Sequence, residues 1–102
     1  MLAKWTQYAN MDKIIRAACE VGGLSYVSFI GRGKSLQKNV LRGVVCVISR
    51  DTLIHPTVAA LMMCRTRANV INVARKYHHY LQAKDKITCE YYQKVKDKIE
   101  KQ

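Results

Sequence analysis

The sequence predicts an α/β fold, a three-layer α/β/α sandwich around a small mixed sheet. Helical and extended patterns alternate along the chain, and one run of consecutive apolar, mostly β-branched residues has the pattern of a strand buried on both faces. A length of 102 residues with an apolar fraction of 49% suffices for one domain around one core. The whole chain, 1–102, is read as that domain, with residues 1–10 as an irregular N-terminal arm and residues 87–102 as a C-terminal helix.

From Asn10, a candidate helix cap, Met11, Ile14, Ile15, Ala18 and Cys19 recur at helical spacing, and Gly22 and Gly23 stop that helix. Residues 24–30 (LSYVSFI) alternate apolar and small polar side chains, with Leu24, Tyr26 and Ser28 on one face, as a strand does. Residues 31–33 make a turn. Residues 34–42 form a short basic helix with Leu36, Val40 and Leu41 inward, and Gly43 ends it. Residues 44–48 (VVCVI) are the doubly buried strand. Pro56 fits the first position of a helix that carries Val58, Leu61 and Met62, and residues 70–73 form another short strand. A basic segment, 75–86, leads into the last helix, where Tyr91, Tyr92, Val95 and Ile99 form one stripe. Val45, Val47, Leu61 and Val70 are expected to be fully buried.

Charge points to function. There are 18 Lys and Arg against 7 Asp and Glu, a formal net charge of +11. Between Val21 and Lys84 the only acid is Asp51, amid Arg32, Lys34, Lys38, Arg42, Arg50, Arg65, Arg67, Arg75, Lys76 and Lys84. A solvated surface normally intersperses both signs, so a middle of one sign implies a polyanion partner, of which nucleic acid is the commonest. Lys34, Lys38 and Arg42, spaced by four, share a helix face, where a phosphate backbone turns their mutual repulsion into attraction. The segment GRGKS at 31–35 sits between the expected strand and helix, a place where backbone N–H groups bind phosphate. It fails the nucleotide-binding P-loop pattern, because Ser28 stands where the first glycine is required. The candidate RNA-binding residues are thus Arg32, Gly33, Lys34, Lys38, Arg42, Arg50, Arg65, Arg67, Arg75 and Lys76. The cluster Tyr77-His78-His79-Tyr80 reads equally as a stacking platform for bases and as a tyrosine pair packed half into the core.

Catalysis is not expected. Paired carboxylates and nucleophile–base arrangements are missing, and His55, His78 and His79 have no ligand at metal spacing, so no enzyme, cofactor or metal site is predicted. Cys19, Cys46, Cys64 and Cys89 form no metal-clamp pair and read as reduced core or near-core residues. Lys4, Gln7 and Asn10 break the first apolar stretch, so no secretory signal is read, and no run reaches the ~18 apolar residues of a membrane span.

Residues 11–75 resemble the L-seven-Ae and L-thirty-e family of small RNA-binding ribosomal proteins, which includes kink-turn binders. The resemblance rests on RGKSLQKNVLRG at 32–43, the run 44–48, Asp51, a helix ending at 61–64 and the run 70–73. It implies strands at 44–48 and 70–73, and RNA contacts from Lys34 and Lys38, with Gly33 at the turn beside the RNA. The family's guanine-reading Asn–Glu pair is Lys34–Ser35 here, which favours phosphate contact over base reading. The expected function is a non-catalytic structural subunit of a ribonucleoprotein particle, a ribosomal protein contacting ribosomal RNA and neighbouring particle proteins. No small-molecule substrate or membrane partner is expected. The expected location is the cytoplasm, with nucleolus and mitochondrion also compatible. A ribonuclease P or small nucleolar particle subunit is the alternative of the same class. A peripheral subunit of an organellar membrane complex, held by the basic surface and the exposed stripe of the last helix, is the alternative of another class.

Overall fold

A computed structural model of the chain describes residues 4–33 and 35–101. Six helices follow one another: α1 (Lys4–Gly22), α2 (Tyr26–Ile30), α3 (Leu36–Asp51), α4 (Pro56–Met63), α5 (Arg67–Gln82) and α6 (Lys86–Glu100). The described residues contain no strand, so the expected sandwich and its mixed sheet are corrected to a helical bundle.

The centre of the bundle explains the correction. Helix α3 packs most extensively on α5 and also meets α1, α4 and α6. Ten consecutive residues, from Val40 to Ser49, are buried in it. Over this stretch no wet face is left to show the 3.6-residue period, although Gln37, Lys38, Asn39, Arg50 and Asp51 on either side of it are not buried. Residues 44–48 are the middle of this helix, not a strand. A short apolar run cannot distinguish the two, since only the length of the whole element does. Gly43 does not end a helix either. A Cβ there would lie 2.3 Å from Cγ and Cδ2 of Tyr77, so glycine lets α3 and α5 cross closely.

The other two expected strands are helical for local reasons. Ser25 Oγ accepts from Ser28 N–H (3.1 Å) and starts α2 within the segment 24–30. Thr66 Oγ1 accepts from Asn69 N–H (3.0 Å) and starts α5, which absorbs residues 70–73. The strands that the family resemblance implies at 44–48 and 70–73 are therefore absent. Helix α1 begins at Lys4, so residues 4–10 of the expected irregular arm are its first turns, while residues 1–3 lie outside the described ones.

Met11, Ile14, Ile15 and Ala18 of α1, Phe29 of α2, Val58 and Met63 of α4, Val70 and Ala74 of α5 and Val95 of α6 close on α3 to form the core. Val45, Val47 and Val70 are buried as expected, but Leu61 is 60% exposed on the outer side of α4. Cys19 and Cys46 are buried and Cys89 is half-buried, whereas Cys64 is exposed. The stripe of α6 faces inward, with Val95 buried and Tyr91, Tyr92 and Ile99 packed on the core.

Four helices end in the same hydrogen-bonded motif. Beyond α1, Leu24 N–H reaches Cys19 O (2.9 Å) and Gly23 takes φ 63°. Beyond α3, α4 and α5, the bonds Ile54 N–H to Ser49 O (2.9 Å), Arg65 N–H to Ala60 O (2.9 Å) and Asp85 N–H to Tyr80 O (3.0 Å) repeat it. The left-handed residues at these three ends are Leu53, Cys64 and Lys84, at φ 62°, 55° and 59°.

Candidate nucleic-acid interface

Two arginines organise the segment between α2 and α3. Arg42 is almost fully buried, and each of its nitrogens donates to a carbonyl. Nε donates to Phe29 O (2.8 Å), Nη1 to Gly33 O (3.0 Å) and Nη2 to Gly31 O (2.8 Å). Arg65 approaches the same segment from the α4–α5 junction, its Nη2 donating to Gly31 O (2.8 Å) and its Nη1 to Ile30 O (2.9 Å). Gly31 O therefore accepts from both guanidinium groups, and neither has a carboxylate partner among the ion pairs of the described residues. Burial first, and then the charge of Arg65, lower the pKa of Arg42 from its ordinary value. It stays protonated, because an arginine starts so far above neutrality.

In the segment expected as a phosphate cradle, 31–35, this arrangement commits the carbonyl oxygens of Gly31 and Gly33. Gly31 and Gly33 turn their carbonyl oxygens to the arginines, and Ser35 Oγ takes Lys38 N–H (3.1 Å) at the start of α3. The segment is held as an acceptor of cations. Positive charge is displayed by the side chains around it.

A cleft of about 550 Å³ opens over this clasp. Arg32, Arg42, Arg65 and Lys76 line it together with Asn39, Cys64, Asn69, Val73 and Tyr77, and no carboxylate is among them. Four of the ten sequence candidates thus converge on one concave surface. Arg32 and Lys76 are exposed there, and Lys76 Nζ lies 5.9 Å from the centroid of the Tyr80 ring. Tyr77 stands edge-on to Tyr80 (centroids 5.1 Å, interplanar angle 85°) and is half-buried against Gly43. Burial raises its phenol pKa, so it remains a neutral hydrogen-bonding wall of the cleft.

The remaining candidates divide. Gly33 contributes its carbonyl, and Lys38 folds back so that its Nζ lies 3.0 Å from where a Cβ on Gly33 would be. Arg67 is exposed at the start of α5. Arg50 and Arg75 line a different cleft on another face of α5, and Arg50 Nε lies 3.9 Å from Asp51 Oδ1. Lys34 lies outside the described residues. The candidates therefore do not form one continuous surface, and Lys38 and Arg42 do not act alike despite sharing a helix. Asn39 and Asn69 were not singled out in the sequence, whereas Tyr77 was, as half of a tyrosine pair read either as a stacking platform or as core. Asn69, Val73, Lys76 and Tyr77 do recur at helical spacing, but that signal is readable only once residues 70–73 are known to be helical.

Fold and cleft together define a strongly basic chain, a helical bundle over its described residues, with an acid-free cationic cleft. No protein-family model, curated protein or solved structure matches the chain. No helix among the described residues is long and apolar enough to cross a membrane.

Proposed function

We propose that this chain is a non-catalytic RNA-binding protein whose cleft between α3, the α4–α5 junction and α5 holds phosphates of an RNA backbone. The observation that carries the reading is a concave surface without a carboxylate, where exposed Arg32 and Lys76 stand beside the guanidinium charges of the Arg42–Arg65 clasp. Four cations so placed repel one another and gain most from a partner with closely repeated negative charge. Asn39, Asn69 and Tyr77 add neutral hydrogen-bonding groups at the same surface, suited to ribose hydroxyls and base edges. In this reading the chain is a structural subunit of a ribonucleoprotein particle contacting ribosomal RNA. The proposal stands on the cleft and not on the kink-turn resemblance, whose expected strands at 44–48 and 70–73 are helical.

The alternative of a membrane-complex subunit rested on the basic surface and on an exposed stripe of α6, and of these the stripe packs on the core.

Binding of a single-stranded and a duplex RNA over a salt series tests the proposal. The double variant Arg32→Ala/Lys76→Ala removes two exposed cations from the cleft without touching the clasp. It should bind more weakly and flatten the slope of log K against log salt by about 0.7 to 0.9 per lost contact. The pair Lys96→Ala/Lys101→Ala on α6 should change the slope far less. Affinity that is flat in salt, or a larger loss from the α6 pair, overturns the assignment.

A further inference from the structure

The second cleft on α5 has a different chemistry. It is about 490 Å³ in volume and lies between the C-terminal half of α3, the α3–α4 turn and α5. Cys46, Ile54, Val70 and Ala74 are buried at its inner side. The polar atoms there are committed or inert. Ser49 Oγ donates to Cys46 O (2.9 Å), and burial pushes the Cys46 thiol up to about 12, so it stays uncharged. Ile71, Pro56 and Leu53 extend the apolar wall outward. Leu53 is 83% exposed although φ 62° costs a branched side chain energy, so a large apolar group stands in water beside an apolar cleft.

The polar side chains among the exposed lining residues have the opposite character. Arg50 and Arg75 are exposed cations, and Asp51 near Arg50 is not part of the lining. His55 Nδ1 accepts from Thr57 N–H (3.1 Å), which in the neutral ring places the proton on Nε2 and leaves a third donor. An apolar interior with cations and a donor at its mouth complements a ligand with an apolar tail and an anionic head.

We propose that this cleft binds a single-chain anionic amphiphile, its tail along Leu53, Pro56 and Ile71 over the floor formed by Ile54, Val70 and Ala74, and its carboxylate or phosphate head between Arg50 and Arg75. The site is independent of the cationic cleft, because Val70, Ile71, Ala74 and Arg75 face one side of α5 and Asn69, Val73, Lys76 and Tyr77 face another. Tail burial supplies affinity that grows with chain length, and the two arginines select the sign of the head group.

Octanoate, decanoate and dodecanoate, each below its micelle concentration, are titrated into the full chain and followed by calorimetry and amide chemical shifts. Affinity should rise by roughly fourfold per methylene while the tail is still being buried, with shifts centred on Ile54, Val70, Ile71 and Ala74. Decyltrimethylammonium, with the opposite head charge, should not bind. Arg50→Ala/Arg75→Ala exchanges two exposed side chains and should weaken decanoate by about tenfold or more without loss of the fold. Arg32→Ala/Lys76→Ala should bind decanoate as the parent does, which separates this site from the RNA reading. Equal binding of the cationic amphiphile overturns the proposal. So do affinity independent of chain length, shifts centred on α6 or the cationic cleft, and indifference to the Arg50/Arg75 pair.

Discussion

Replacing Arg42 by Met separates a strut from an RNA contact. The variant keeps an unbranched apolar stem in the same space but removes three hydrogen bonds of 2.8, 3.0 and 2.8 Å. Gly31 O retains Arg65 (2.8 Å), so the loss falls on Phe29 O and Gly33 O. Two bonds to a charged donor, at about 1.5 kcal/mol each, give a destabilisation of about 3 kcal/mol. In a domain of this size that lowers the melting temperature by roughly 12 to 24 °C. Arg42→Lys keeps the charge but, lacking the planar fork, cannot reach three divergent carbonyls, and should show most of the same loss. Thermal and urea unfolding measure both variants. Because every nitrogen of Arg42 already serves a carbonyl, RNA binding by folded Arg42→Met, measured well below its melting point, should keep the parent's salt slope. A melting temperature equal to the parent's, or a flattened slope in the folded variant, refutes the strut.

Gly43→Ala should destabilise by about 1 to 3 kcal/mol from overpacking against Tyr77, outweighing the ~1 kcal/mol that alanine gains as a helix former. Adding Tyr77→Leu should recover part of that loss, and additive effects of the two changes would show that the ring is not the obstacle. Asp85 Oδ2 accepts from Thr88 Oγ1 (2.6 Å) and Thr88 N–H (3.1 Å), and these bonds hold its pKa below the ordinary carboxylate value. A pKa depressed by folding means stability that is fully present above the unfolded value and lost as pH falls through the folded one. Asp85→Ala should therefore melt below the parent at neutral pH, with the gap closing under acid below about pH 4, the ordinary carboxylate range. A gap independent of pH would mean that the carboxylate charge is not what caps α6.

The segments readable as helices were those with one wet face. The spacing of Met11, Ile14, Ile15 and Ala18 marked α1, and the stripe Tyr91, Tyr92, Val95 and Ile99 marked α6. Pro56 marked the start of α4, where His55 completes the cap. The caps at Ser25 and Thr66 are equally local signals, but the apolar–polar alternation of 24–30 and the mostly β-branched run 70–73 have the pattern of strands. Helix ends were harder to read because Leu53, Cys64 and Lys84 occupy left-handed positions that glycine usually marks. At those positions the strain is outweighed by hydrogen bonds to the preceding turn and, beyond α3, by burial of Ile54.

By itself the sequence determined the size, the basic middle with Asp51 as its lone acid and the apolar faces of the first and last helices. These follow from composition and from periods that one element displays alone. Tertiary structure decided that residues 40–49 are a helix buried all round, because enclosure by α1, α4, α5 and α6 removes the wet face that would reveal its period. It also decided which cations remain available. Lys38 and Arg42 lie one turn apart with the same sign of charge. Packing directs Arg42 inward to carbonyl oxygens, while Arg32, Arg65 and Lys76, distant in sequence, meet it around one cleft. Net charge is a sum over residues, whereas a binding surface depends on where each side chain's hydrogen bonds are already committed.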